Sequence, residues 1–172
     1  TEFIADEAIY ERFIQAGLPQ SRKFVWIGTA DLKDLHVRRG RGFAPLLAVF
    51  AELVQRGVEV RLLHAKEPGP RFRASFDKYP ALVESERFER LLCPRVHFKC
   101  VILDGREAYI GSANVTGAGM GAKHADRRNF ECGVATDDRA LVRGRMEQFD
   151  QVFMGSRCPK CRLKSVCPDP IA

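Results

Sequence analysis

No run of about 18 consecutive apolar residues occurs in this chain, so no helix in it is expected to span a bilayer. The N-terminal segment TEFIADEAIYERF lacks the basic start and apolar block of a secretory signal, and a cytoplasmic, reducing location is expected. Neither an internal repeat nor a low-complexity tract is present, which leaves 172 residues, 45% hydrophobic, to bury one core. Acidic residues are the minority charge: 22 Asp and Glu stand against 28 Lys and Arg, a net +6 with a pI near 9.2. Such a balance suits a polyanionic partner, either nucleic acid or an anionic membrane surface. Cysteine, by contrast, is plentiful. Three of the six crowd into the last fifteen residues as CPKCRLKSVC, and clustering of that kind favours a metal over scattered disulfides.

Periodicity sets an alternating order of strands and helices. Asp6 is placed to cap a first helix with Ile9, Phe13 and Ile14 on one face, ended by Gly17 and Pro19. Residues 23–28 (KFVWIG) read as a buried strand, and 35–42 (LHVRRGRG) as a very basic loop. From Phe43 onward Leu46, Val49, Phe50, Leu53 and Val54 recur at helical spacing, Gly57 closes the helix, and 58–63 (VEVRLL) resumes as strand. This unit predicts a parallel strand pair with a crossover helix. After Pro68, Gly69 and Pro70 a charged stretch to Leu92 is expected to be helical. A glycine-rich loop through Gly121, a strand over 129–136 and a helix over 138–154, with Leu141, Val142, Met146, Phe149 and Val152 inward, complete the chain.

The run 97–114, HFKCVILDGREAYIGSAN, has the alternation of a buried hairpin but carries polar groups where packing prefers Val or Thr. Residues two apart share a strand face, so His97 and Lys99 look out together while Phe98 and Cys100 look the other way. Asp104-Gly105 is a turn dipeptide, and the returning strand brings Ser112 and Asn114 back beside His97. An imidazole, an ammonium, a hydroxyl and an amide around one point suit phosphoryl chemistry, which needs a nucleophile and several donors on the phosphate oxygens. Gly111 leaves space for backbone to approach that group. Singly, each of these residues fits an exposed strand or a turn. His36 and His64 read as loop or strand-end residues, and His124 sits in a basic loop.

The pattern His97-x-Lys99-x4-Asp104-x6-Gly111-Ser112-x-Asn114 resembles the HKD signature of the phospholipase D superfamily at every defined position. The resemblance implies an α/β fold with a mixed, largely parallel β-sheet flanked by helices on both faces. Residues 1–155 would form the catalytic domain and 156–172 a cysteine-rich tail packed on it. It also implies that His97 attacks phosphorus to give a phosphohistidine, that Lys99 and Asn114 hold the phosphate oxygens, and that Ser112 adds a donor. Asp104 would support the site electrostatically. Family members carry a downstream acid that orients the imidazole, and Glu131 is its counterpart here. The family uses two such motifs and this chain holds one, so a homodimer with a shared active site is implied, with no metal needed for catalysis.

For the tail, Cys158, Cys161 and Cys167 are one ligand short of a closed site, and Cys93, also followed by proline, is the expected fourth. The spacing resembles the cysteine clasp of iron–sulfur helicase-nucleases, which favours an iron–sulfur cluster, with zinc as the alternative. Alternation turns Cys100 and Cys132 into the core. Nucleic acid is favoured as substrate by Arg38, Arg39 and Arg41, by Arg71 and Arg73, and by Lys123, Arg127 and Arg128. The alternatives are a phospholipase D-type lipid hydrolase or transphosphatidylase, and a nucleic-acid-binding module without turnover.

Overall fold

The computed structural model of the protein describes residues 1–33 and 35–171. Its seven-stranded sheet is built from β1 (Glu2–Ala5), β2 (Phe24–Thr29), β5 (Glu59–His64), β6 (Phe88–Leu92), β7 (Lys99–Leu103), β8 (Glu107–Gly111) and β9 (Cys132–Thr136), in the order β1-β9-β8-β7-β2-β5-β6. The expected crossover is present: helix α3 (Leu46–Gln55) joins β2 to β5, which pair in parallel with Val25 opposite Val60. β6 continues the parallel set, whereas β7, β8, β9 and β1 pair antiparallel. The sheet is therefore mixed, with β1, β8, β2, β5 and β6 running one way and β7 and β9 the other.

Both faces are covered. Ile9, Phe13, Ile14 and Leu18 of the N-terminal helical run pack with α3 against Val25, Ile27, Val101 and Tyr109. On the opposite face, α6 (Arg139–Phe153) lays Val142, Phe149 and Phe153 over Cys100, Ile102 and Ala108. Asp138 caps α6 by accepting from the amides of Ala140 and Leu141 at 3.0 and 2.9 Å. Leu141, expected inward, is exposed; Arg145 occupies the inward stripe instead and is buried.

Four local expectations are corrected. The N-terminal run does not stop at Gly17: α1 (Glu7–Ile9) continues as a π-helix over Tyr10–Gly17 and as α2 (Leu18–Gln20). Pro19 falls within that last segment, near its end at Gln20. Asp6 makes no side-chain cap; its carboxylate accepts the Glu131 amide at 2.9 Å. The basic loop is a hairpin of β3 (His36–Arg39) and β4 (Gly42–Pro45), because Val37 is buried and Tyr10 Oη hydrogen-bonds both His36 O and the Arg38 amide. The charged stretch before Leu92 holds only the short helices α4 (Pro70–Phe76) and α5 (Pro80–Val83), then edge strand β6. An edge strand tolerates Glu89 and Arg90 because one of its sides faces solvent.

Strand direction decides which connections share an end of the sheet. The C-terminal ends of β2, β5, β6 and β8 and the N-terminal ends of β7 and β9 lie together. The β3–β4 hairpin, α4, residues 93–98, residues 112–131 and the tail after α6 therefore all emerge at one end. The Asp104-Gly105 turn lies at the other.

Candidate active site

Lys99 begins β7 in the middle of the sheet, opposite Gly111 of β8. Its side chain is buried, and Nζ bends back to donate to His97 O at 2.7 Å, standing 3.5 Å from His97 Nδ1. His97 itself is exposed at the mouth of the sheet. Between the two, Phe98 turns to the opposite face, where the Arg145 guanidinium stacks 4.0 Å from its ring centroid. Gly28 leaves the room for that ring, since a Cβ there would fall 2.4 Å from Phe98 Cε2.

Asn114 is held through one atom. Its Oδ1 accepts from the amides of Ala30 and Asp31 at 3.1 and 3.0 Å, and the Thr29 hydroxyl beside it donates to Asp31 O at 2.7 Å. That set identifies the oxygen and leaves Nδ2 free to donate. Thr29 is buried at the end of β2 and accepts the Val115 amide at 3.0 Å, so one hydroxyl ties the strand to the loop that carries Asn114. Sequence reasoning passed over Thr29, although a threonine ending an otherwise apolar strand was the available signal.

Ser112 and Glu131 meet each other. The Ser112 hydroxyl donates to the Glu131 carboxylate, accepts the Cys132 amide at 3.0 Å, and Asn129 Nδ2 supplies Glu131 with a second donor at 3.1 Å. The expected acceptance from His97 by Glu131 is not among the hydrogen bonds of the described residues; Ser112 takes that place. Gly111 has a structural reason to be glycine: a Cβ would lie 2.3 Å from Tyr109 Oη and 2.4 Å from Cys132 O. Burial pushes the Tyr109 phenol up to about 12, so it stays neutral and bonds Cys132 O and the Ala113 amide.

Asp104 does not join this group. It sits at the far end of β7, and its carboxylate accepts the amides of Arg22, Lys23 and Phe24 at 3.1, 2.8 and 3.1 Å. Asp104 and Gly105 both have positive φ, 54° and 66°, and the Arg106 amide donates to Leu103 O at 3.0 Å, as a primed hairpin turn requires.

The basic residues singled out in the sequence fall on separate segments at the His97 end, while Arg22, Lys23, Arg56 and Arg106 gather at the Asp104 end. Arg38 stacks on exposed Phe43, Arg39 pairs with Glu52, Arg73 lies 3.6 Å from Glu67, and Arg127 lies 3.9 Å from Asp126. Arg128 donates to Glu7 at 2.6 Å, and Arg128 and Arg38 together hold the Glu7 carboxyl below its usual range. Arg41, Arg71 and Lys123 are exposed on the hairpin tip, on α4 and beside Gly117. Phe130, next to Glu131, is 98% exposed. His36 is exposed in β3, His124 pairs with Asp126 at 2.8 Å, and His64 is buried with Nδ1 on Lys66 O at 2.7 Å.

Cys93, Cys158, Cys161 and Cys167 line one small cavity of about 20 Å³ together with Leu163 and Pro170. Burial and the nearby thiols of Cys167, Cys158 and Cys161 push the Cys93 thiol up. As they stand, no three His, Cys, Asp or Glu side chains among the described residues form an ion-holding group. Cys100 is buried as expected, but Cys132 is exposed: it opens β9 at the sheet end, beyond the cover of α6. No helix among the described residues is long and apolar enough to cross a membrane.

A family profile described as "Cardiolipin synthase, PLD-like domain" matches residues 14–153. A comparison of the sequence with curated proteins returns no match. Among solved structures, NucT from Helicobacter pylori superposes with a TM-score of 0.60 at 16% identity, over 87% of this chain and 95% of that one. Nuc from Salmonella typhimurium, a phospholipase D family member, gives 0.61 at 16% identity over 87% and 92%. TrmBL2, an archaeal chromatin protein with a novel mode of DNA binding, gives 0.59 at 18% identity over 89% of this chain and 52% of that one. At these identities the likeness concerns the fold.

Proposed function

This chain belongs to the phospholipase D-like family, and from that premise we propose that it is a phosphodiesterase cleaving nucleic acid through a phosphohistidine, with the active site completed by a second copy of the chain. The observation that carries the reading is the cluster of exposed His97, buried Lys99 and a pre-oriented Asn114 Nδ2 at one sheet end. In the first step a His97 ring nitrogen attacks phosphorus, an N–P bond forms, and the P–O bond to the leaving strand breaks. Lys99 and Asn114 donate to the non-bridging oxygens as charge builds on them. The leaving oxygen takes a proton from the other side of the phosphorus, which one imidazole cannot supply while it is the nucleophile. His97 of a second copy, related by a two-fold axis, supplies it and then removes a proton from the water that releases His97. The chain balances without a metal.

Nucleic acid is preferred over lipid because Arg38, Arg41, Arg71, Lys123 and Arg127 emerge on segments at this end of the sheet, with exposed Phe43 and Phe130 on the same segments. TrmBL2, the DNA-binding relative by fold, and the net +6 charge support the same choice. The test is digestion of single- and double-stranded DNA and RNA in EDTA beside phosphatidylcholine vesicles, with wild type and His97→Ala. EDTA-resistant strand cleavage by wild type, lost in the variant, together with trapping of an acid-labile phosphoryl group on wild type, is expected. Faster release of choline than of nucleotides would reject the substrate, and undiminished turnover by His97→Ala would reject the nucleophile. A dimer by light scattering is expected, and an active monomer would overturn the shared site.

A further inference from the structure

We propose that Cys93, Cys158, Cys161 and Cys167 form a four-thiolate site for a soft transition metal, which fastens the C-terminal tail to the connection leading into His97. The four sulfurs come from two places far apart in the chain, the 93–98 connection and the tail after α6, and strand direction delivers both to the same sheet end. They ring a cavity whose other walls are Pro94, Arg95, Leu163, Lys164 and Pro170, so no carboxylate competes with them there.

The local backbone is wound for ligation. Amide bonds run from Cys161 to Cys158 O at 3.0 Å, from Lys164 to Cys161 O at 3.2 Å and from Cys167 to Lys164 O at 3.4 Å, a series of turns that presents the thiols at successive corners. On the opposite wall the Val96 amide closes a turn onto Cys93 O at 2.9 Å. The tail is clamped independently: Asp169 accepts the Leu92 amide at 2.8 Å, and Ile171 packs on Gly155. The cavity is therefore held together by contacts other than the thiols.

Charge points the same way. Four thiolates around a divalent ion carry a net negative charge, and cations offset it. Residues 151–168 hold Arg157, Lys160, Arg162 and Lys164 and no acid. Arg95 Nη1 donates to Cys161 Sγ at 3.7 Å, the N–H to sulfur bond expected around a ligating thiolate. Cys100, deep in the core, and Cys132, exposed on β9, are outside the group and serve as internal controls.

The shared chemistry is thiolate ligation, and either zinc or an iron–sulfur centre satisfies it. The experiment is elemental analysis and acid-labile sulfide measurement on full-length protein purified anaerobically from medium containing both metals, followed by alkylation mapped by mass spectrometry before and after metal removal. About one colourless zinc per chain, or iron with matching sulfide and a brown visible spectrum, supports the site and tells the two apart. Cys93, Cys158, Cys161 and Cys167 should resist alkylation until the metal is removed, while Cys132 reacts throughout; this readout needs no variant that has to fold. Cys161→Ser should drop bound metal several-fold, and Cys132→Ser should leave it unchanged. The proposal fails if neither metal is bound stoichiometrically. It also fails if the four thiols react as fast as Cys132, or if the intact mass shows disulfides in place of metal.

Discussion

The Lys99 ammonium reaches back two residues to the carbonyl of His97 at 2.7 Å and stands 3.5 Å from that residue's Nδ1. The imidazole proposed as nucleophile and the cation proposed to meet the phosphate are thus fixed by one short stretch of backbone, and the contact depends on a compact point charge on a flexible stem. A guanidinium is planar and wider, and does not fit that reversed path. Lys99→Arg should therefore fail to rescue: both Lys99→Ala and Lys99→Arg are expected to lower kcat by about 10²-fold or more, the scale of a lost electrostatic donor. Steady-state cleavage of a labelled oligonucleotide in EDTA reads this, and near wild-type turnover by Lys99→Arg would show that the bent path is unimportant.

Asn114 separates structure from chemistry within one side chain. Its Oδ1 accepts the amides of Ala30 and Asp31, which leaves Nδ2 as its unused donor. Asn114→Asp keeps an acceptor for the two amides but replaces the free amide donor by a second oxygen that repels phosphate. Stability should change by under about 1 kcal/mol while turnover falls at least about 10²-fold. Asn114→Ala abandons the donors as well and should cost about 1–3 kcal/mol. Urea unfolding beside the cleavage assay distinguishes the two variants.

Asp104 belongs to folding. Its carboxylate gathers the amides of Arg22, Lys23 and Phe24 just where β2 begins, at the sheet end away from His97. Asp104→Ala should destabilise by about 2–4 kcal/mol, from lost charge-assisted bonds and from a Cβ residue at positive φ without a local acceptor. The kcat of the folded fraction should stay within about twofold of wild type. A large fall in kcat at unchanged stability would return Asp104 to the active site.

How much of this was legible beforehand depended on whether the deciding partner was near in sequence. The β7–β8 hairpin, its turn and the β2–α3–β5 crossover rest on local alternation and helical spacing, and these were readable. The β3–β4 hairpin was not, because what makes a strand of 36–39 is Tyr10, which lies 26 residues before His36. β6 was hidden by its charges, which only an edge position explains. Within the site, the types and spacing of His97, Lys99 and Asn114 were plain in the chain. The pairing of Glu131 with Ser112 was not, since it depends on the register of Gly111 with Gly133. Arg145 carried a readable signal, a charge on the inward stripe of α6 with Val142 and Phe149, and Phe98 is its partner.

His64 makes acid stability predictable. It is buried at the end of β5, with Arg90 Nη1 3.3 Å from Nε2, and burial together with Arg90 lowers its pKa, while Lys66 O, Glu67 and Asp169 oppose that shift. The unfolded chain then takes up the proton more readily than the folded one. The stability tied to a neutral His64 is fully present above the ordinary imidazole value of about 6.5, and is lost as pH falls below it through the folded value. Melting temperature should fall over that interval, and the difference between wild type and His64→Gln should isolate the histidine from the carboxylates. An identical pH profile in both would show that His64 titrates alike in the two states.

Phe43 and Phe130 test whether single strands follow the cationic segments. Arg38 lies 6.0 Å from the Phe43 ring centroid, Glu7 links Arg38 electrostatically to Arg128, and Phe130 stands two residues beyond, next to Glu131. The two exposed rings thus stand beside cationic residues that share Glu7. A base stacked on each is worth about 1–3 kcal/mol, so Phe43→Ala and Phe130→Ala should each weaken oligonucleotide binding by roughly 5- to 150-fold. Hydrolysis of a small diester such as bis(p-nitrophenyl) phosphate has no base to stack and should be unaffected. Arg41→Ala should instead reduce the salt dependence of binding for every sequence, with little change in base preference. Equal losses on oligonucleotide and small diester would mean that the aromatic residues act on the catalytic centre itself.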